Sequence, residues 1–418
     1  MAFQRRRKST RQTDSSQQLE ERCLLSTITV TSLADNMDVD GEVTLREAVH
    51  AANTNTSVDG STAGSGGDKI VFDPSLQGGV IDLDLGQIEI DGAVEIVGRD
   101  TRIDAGSESR IFEITTAGSV ALKELVLRNG FHTESGGAIL AGSGRLTIAD
   151  SKLVDNTVRG DADELTGGAV HASNFYSKNV IFRRNSVEYT GSGTPDKSVS
   201  GGAVHADKAV IRRSTFEANS SDGVGGGLTL TGSFEVKDSA ISDNTAPLGG
   251  AGLFVFETSD LEHHSSSWVL QRSTVENNEG VGVSVHTTRW VSIIESLIAG
   301  NSSHGVEVQQ GAETPIFFND SRVVRNGGNG VSIAPSVEAG PNVYRTEISE
   351  NAQSGIFGAT RFVVDESTIS GNDNGAIRAR FVEQDFGIWE EGFRLNESTI
   401  SGNRSEDGPA AIGIDTKN

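Results

Sequence analysis

The feature that most constrains this chain is a six-residue phrase repeated through its second and third thirds: small hydroxyl, any residue, apolar, any two, asparagine. It reads SKLVDN at 151–156, STFEAN at 214–219, SAISDN at 239–244 and STVENN at 273–278. It continues as SLIAGN at 296–301, SRVVRN at 321–326, TEISEN at 346–351, and STISGN at both 367–372 and 398–403. ELVLRN at 124–129 and VIFRRN at 180–185 carry it with a weaker first position. The third position is apolar in all eleven copies, and the asparagines stand 21 to 34 residues apart, most often 25.

A second refrain lies between the asparagines: a glycine-rich turn, then a short alternating strand. GGAILA at 136–141 and GGAVHA at 167–172 and again at 201–206 are examples. Two or three short strands per repeat, with no helical period, describe the stacked coils of an all-β, parallel β-helix of about eleven coils. One coil cannot bury its inward residues, whereas a stack buries them and pairs every strand. At a strand separation of ~4.8 Å, eleven coils span on the order of 50 Å. Asparagine tolerates a left-handed turn, and its amide can bond to the next coil's amide in a ladder, so the eleven asparagines read as structural.

Composition agrees. The 35% hydrophobic fraction becomes ordinary for a packed protein once 50 glycines are added, and only seven prolines interrupt it. The net charge is −23, and MAFQRRRKSTR at the start carries five positive charges and no acid. So acidic a body repels nucleic acid and anionic lipid. The single cysteine, Cys23, excludes an internal disulfide. No segment reaches the roughly 20 apolar residues of a membrane span, and the first 30 residues lack the apolar stretch of an ordinary secretory signal. Residues 1–26 read as a basic, disordered export-like segment, 27–67 as a strand, helix and loop, and 68–418 as the repeat domain. The amphipathic helix over 44–53 sits where the open end of a β-helix needs a cap.

The N-terminal part also resembles a known group. In DGEVTLREAVHAAN (40–53), Leu45, Arg46, Glu47, Ala48 and Asn53 resemble the LREA-type module that precedes right-handed parallel β-helices in bacterial surface and secreted proteins. Val43 and Thr44 stand where that group has Cys-Ser. QLEERCLLS (18–26) is similar to a segment of exported planctomycete proteins, and the repeats resemble polymorphic outer-membrane-protein repeats. These resemblances imply a right-handed, single-stranded parallel β-helix with an N-terminal capping helix, located extracellularly or at the cell surface.

Three groups of residues could carry chemistry. Asn36, Asp38, Asp40, Gly41 and Glu47 fall at positions 1, 3, 5, 6 and 12 of an EF-hand-style calcium loop, although the same residues also suit a turn and helix cap. His171 and His205 align on adjacent coils with Asp207 two residues on, a candidate transition-metal set. Glu257, Asp260, Glu262, His263 and His264 lie in a long insertion, with Trp268 and Trp290 as a candidate sugar-stacking platform. The residues preceding each phrase, from Asp150 to Glu397, mostly set opposite charges on neighbouring coils and read as a solvated surface ladder. No hydrolase or lyase set assembles from these columns. The sequence therefore favours a non-catalytic structural or adhesive surface β-helix binding an extracellular polysaccharide or a surface protein. A polysaccharide lyase or glycoside hydrolase with a divergent site is the alternative.

Overall fold

The computed structural model describes residues 26–257, 268–310, 316–337, 340–359, 361–380, 393–405 and 411–415. Every strand pairing among them is parallel, and the strands form three faces of a right-handed β-helix. The face built by the repeated phrase, here the asparagine face, stacks thirteen strands in continuous register from Val80–Asp82 to Thr399–Ser401. Two coils thus precede the eleven expected from the asparagines. The glycine-rich refrains begin the strands of a second, glycine face, and a third face closes each coil.

Alternation sets what is inside. On the asparagine face one residue per strand points inward: Leu153, Phe182, Phe216, Ile241, Val275 and their successors as far as Ile369, all fully buried, with Ile400 of the last strand partly buried. Phe182 and Phe216 stack with centroids 4.6 Å apart. Parallel register places each inward residue on its counterpart in the next coil, so one continuous apolar column grows with each repeat.

Both corners of this face are polar, and both are zipped. From Asn156 to Asn403 each asparagine Nδ2 donates to the Oδ1 of the next, at 2.8–3.0 Å. In the interior of the ladder the accounting is complete. Asn244 Oδ1 accepts from the backbone N and the Nδ2 of Asn219, while its own Nδ2 donates to Phe216 O and to Asn278 Oδ1. At the other corner the phrase's first residue builds a hydroxyl ladder, in which Ser239 Oγ accepts from Ser214 N and Ser273 Oγ from Ser239 N. The residues just outside it, from Asp150 to Glu397, all adopt left-handed φ of 43–55°. Their side chains form the expected surface ladder: Arg272 to Asp238 at 2.7 Å, Arg345 to Asp320 at 2.6 Å. Exposed as they are, these pairs contribute little to stability.

The register corrects the first copy of the phrase. Leu127, not Val126, faces the core beside Leu153, so Asn129 stands opposite Asp155 and Gly130 opposite Asn156. Asn129 is therefore outside the ladder and bonds instead to Asp104. Asn129 is itself left-handed, like Asp155 opposite it, whereas in the other copies the left-handed residue precedes the asparagine, as at Asp155, Arg184 and Asp243.

Helix Leu45–Thr54 covers the first coil with Leu45, Ala48, Val49, Ala51 and Ala52, all buried. Thr44 and Glu47 form a reciprocal capping box, with Thr44 N donating to Glu47 Oε2 at 2.9 Å. Arg46 clamps the helix to the coil by donating to Asp35 and to the carbonyls of Gly86 and Gln87. Strand Ser26–Val30 pairs in register with Asp68–Phe72 and is thus the outermost strand of the third face.

Replacing Asn244 with Ala removes four buried hydrogen bonds at once and leaves the backbone N of Asn219 without its side-chain acceptor, whereas Asn403 is half-exposed and ends the ladder. At about 1–3 kcal/mol per buried unpaired group, Asn244→Ala is expected to lower the opening free energy of neighbouring amides by at least about 2 kcal/mol in native-state hydrogen exchange. Asn403→Ala should change it by far less, and equal effects would refute a stabilising ladder.

Candidate functional site

Among the described residues an outgrowth at one corner breaks the regularity of the rod. The stretches TVRGDADELT (157–166) and SVEYTGSGTPDKSVS (186–200) leave the corner between the asparagine and glycine faces and form a lobe with its own strands. Thr157–Gly160 pairs with Ser186–Tyr189, and Leu165–Thr166 with Val199–Ser200. Val158, Leu165, Val187 and Val199 form a small separate core beneath. The chain then returns to the glycine face through Gly167 and Gly201, at φ of 65° and 72°. A Cβ on Gly167 would lie 2.1 Å from Val170 O, so only glycine makes this turn.

The turn folds the lobe's ribbon back over the strand it precedes. Thr166 Oγ1 meets His171 Nδ1 at 2.7 Å, and Ser200 Oγ meets His205 Nδ1 at 2.8 Å. Because His171 and His205 are in register, their rings stack 5.1 Å apart at an interplanar angle of 11°. Lobe and face together enclose a recess of about 390 Å³. Its floor is His171, His205, Asp207, Thr231 and Phe256; its wall is Glu164, Thr166, Lys197 and Ser198. Thr231 Oγ1 donates to Asp207 at 2.8 Å, and Lys197 Nζ lies 5.6 Å from the centroid of the Phe256 ring.

Burial governs the imidazoles. It pushes His205 down to about 3, with the neighbouring His171 adding to the effect. His171 is lowered for the same reason, against the opposing pull of Asp207 and Glu164. Both are therefore neutral at pH 7, and neither Nε2 has a hydrogen-bond partner among the described residues.

The other candidate residues fare differently. The calcium set does not converge. Glu47 is fully buried and spends Oε2 on the helix cap, while Asp38 and Asp40 are exposed and Asp40 accepts from Glu42 N in a turn. Nor do His171, His205 and Asp207 converge on one point, because stacking keeps the rings at strand spacing. Among the described residues no three His, Cys, Asp or Glu side chains are arranged to hold a metal ion. Glu257 is fully engaged, by Arg289 Nε at 2.8 Å and by Thr287 and Thr288. Asp260, Glu262, His263 and His264 lie outside the described residues. Trp268 is inward and buried against Phe234, whereas Trp290 is 68% exposed beside Phe317, so the two indoles share no surface.

Glu164, Lys197 and Phe256 were not singled out from sequence. The available signal was spacing: the insertion at 186–200 gives one of the two widest intervals between asparagines and runs directly into GGAVH.

The right handed beta helix region model matches residues 87–289, 205–338 and 281–418. No curated protein matches the chain. Among solved structures, the A-module of the Azotobacter vinelandii mannuronan C-5 epimerase AlgE6 is 14% identical, over 92% of this chain and 98% of that one, with a TM-score of 0.44. The periplasmic alginate epimerase AlgG is 11% identical over 80% and 77%, with a TM-score of 0.43. Pectate lyase Pel9A is 11% identical over 93% and 80%, with a TM-score of 0.31. Likeness at this level carries none of their chemistry over.

The depressed imidazoles make stability depend on pH. Their unfolded-state value, near 6.5, exceeds the folded one, so the unfolded chain binds more protons below it. Stability is full above pH 6.5 and falls as pH drops, by up to about 1.4 kcal/mol per pH unit for each imidazole. Urea midpoints between pH 6.5 and 4.5 should fall more steeply for the wild type than for His205→Leu, which takes the residue found at Leu140 in the same column. Parallel profiles would contradict the neutral assignment of His205.

Proposed function

This chain belongs to the right handed beta helix family, and from that premise we propose that it is a non-catalytic, glycan-binding rod whose ligand lies in the recess between the lobe and the glycine face. The observation that carries this reading is the recess itself, a preformed concavity lined by hydroxyls, imidazoles, carboxylates and an aromatic ring. Its volume falls within the roughly 300–1,000 Å³ of ligand pockets. Its lining is what a sugar needs: hydroxyls at Thr166, Ser198 and Thr231, two neutral imidazoles, carboxylates at Glu164 and Asp207, and the ring of Phe256.

Two features favour binding over catalysis. An imidazole depressed to about 3 is a poor general base at neutral pH. The hydrogen-bond partners of both Nδ1 atoms are hydroxyls rather than carboxylates, so no carboxylate relay raises their basicity. A surface or extracellular location fits the resemblance of the N-terminal module to exported β-helices. Among the described residues no helix is long and apolar enough to cross a membrane. The alternative, a polysaccharide-cleaving enzyme, is favoured by one observation, that Asp207 and Glu164 both line the recess.

Calorimetric titration of the full chain with neutral, acidic and amine-bearing oligosaccharides tests the proposal. Binding without shortening of the polymer is expected, with His171→Ala and Phe256→Ala each weakening it about tenfold, or ~1.4 kcal/mol. Binding indifferent to both substitutions would sink the assignment of the recess. Time-dependent shortening, abolished by Asp207→Asn, would establish the enzyme instead.

A further inference from the structure

The charges around the recess narrow the ligand class. Among the described residues one cation lines it, Lys197, and that ammonium lies over the Phe256 ring at one end. The floor and opposite wall carry Asp207 and Glu164. The imidazoles add no positive charge at neutral pH. Stacked 5.1 Å apart, two imidazolium rings would repel each other, and each Nδ1 is already held by a hydroxyl. The recess is therefore acidic, on a protein whose net charge is −23. A polymer bearing a carboxylate on each sugar meets repulsion at long range and finds no guanidinium or unengaged ammonium in the recess.

We propose that the recess takes an amino sugar, a glycan with unacetylated, protonated amines held between Glu164, Asp207 and the stacked imidazole pair. This rests on the recess being the glycan site. An ammonium has three donors and no acceptor, and the recess offers matching acceptors. Glu164 and Asp207 supply charge-assisted ones. His205 is more than nine-tenths buried, yet it lines the recess and its Nε2 has no hydrogen-bond partner among the described residues. When Nδ1 donates to Ser200 Oγ, Nε2 is left as an acceptor, the tautomer an ammonium selects. The same holds for His171 with Thr166. Phe256 offers its ring to the apolar face of a neighbouring sugar.

The probes are a fully deacetylated glucosamine hexamer, its N-acetylated counterpart and a uronate hexamer. Each is titrated calorimetrically into the full chain at mildly acidic pH, at low and at raised salt. The expected order is glucosamine over N-acetylglucosamine by about tenfold, with no measurable uronate binding. That preference should shrink with salt and fall in Glu164→Gln and Asp207→Asn, both near-isosteric and checked by unchanged thermal midpoints. Uronate binding as tight as glucosamine binding would overturn the inference. So would a glucosamine preference that survives the double Glu164→Gln, Asp207→Asn variant, because the amines would then be reading the general negative surface. His171→Ala and Phe256→Ala separate the two levels. If they weaken N-acetylglucosamine or uronate binding while no amine preference exists, the recess is a glycan site and only the amino-sugar assignment falls. If they affect none of the three, both fall.

Discussion

The asparagine ladder is the interaction on which the rest of this structure depends. A parallel β-helix must turn its chain sharply three times per coil, and each turn threatens to leave backbone donors and acceptors buried without partners. Here a single side chain per coil resolves the problem at one corner. Each interior asparagine uses both lone pairs of Oδ1 and both protons of Nδ2, and it spends them on the coils before and after its own. The amide thus fixes the register between coils as well as satisfying the turn. The hydroxyl ladder repeats the device at the other corner of the same face. Between the two ladders the strand has only three residues, as at Thr215–Glu217, and one inward apolar side chain suffices.

A rod so tightly registered can carry irregularity without losing its core. The lobe at 157–200 is an example. Its small hydrophobic cluster is separate from the central one, so it grows out of the corner while the strands beneath keep their register. Its attachment is specific, because Thr166 and Ser200 on the ribbon hold the imidazoles of His171 and His205 on the face. The recess follows from that attachment. Floor, wall and polar lining come from two elements of different regularity meeting at one corner. The acidic balance of its lining echoes that of the whole molecule.

Much of this was legible in the residues. The repeat announced parallel coils, because an asparagine and an apolar residue at fixed offset can recur so regularly only if each meets its own copy in the next turn. The mostly opposite charges on neighbouring coils from Asp150 to Glu397 announced a surface ladder, and TLRE announced a capped helix over the first coil. The offset at ELVLRN was misread because Glu124-Leu125 and Asp150-Ser151 both fit a loose pattern. Only hydrogen bonding shows that Gly130, not Asn129, stands opposite Asn156. The role of Glu47 was ambiguous for a similar reason. Alternating acids suit a calcium loop and a capping box equally until burial decides between them, and full burial beneath the helix start leaves its carboxylate no access to the exposed Asp38 and Asp40.

The sequence alone thus determined the architecture, since repetition with period-two alternation has one economical solution, a stack in which like pairs with like. It also placed His171, His205 and Asp207 on one side of one face. What only the tertiary structure decided is the company they keep. Glu164 and Lys197 reach the recess from loops seven and eight residues ahead of the histidines in the chain, and Phe256 from two coils further on. No local pattern encodes that approach, because it depends on how far a lobe with its own small core leans over its neighbour. The inward turn of Trp268 and the outward one of Trp290 were settled the same way, by the register of the strands they begin or precede.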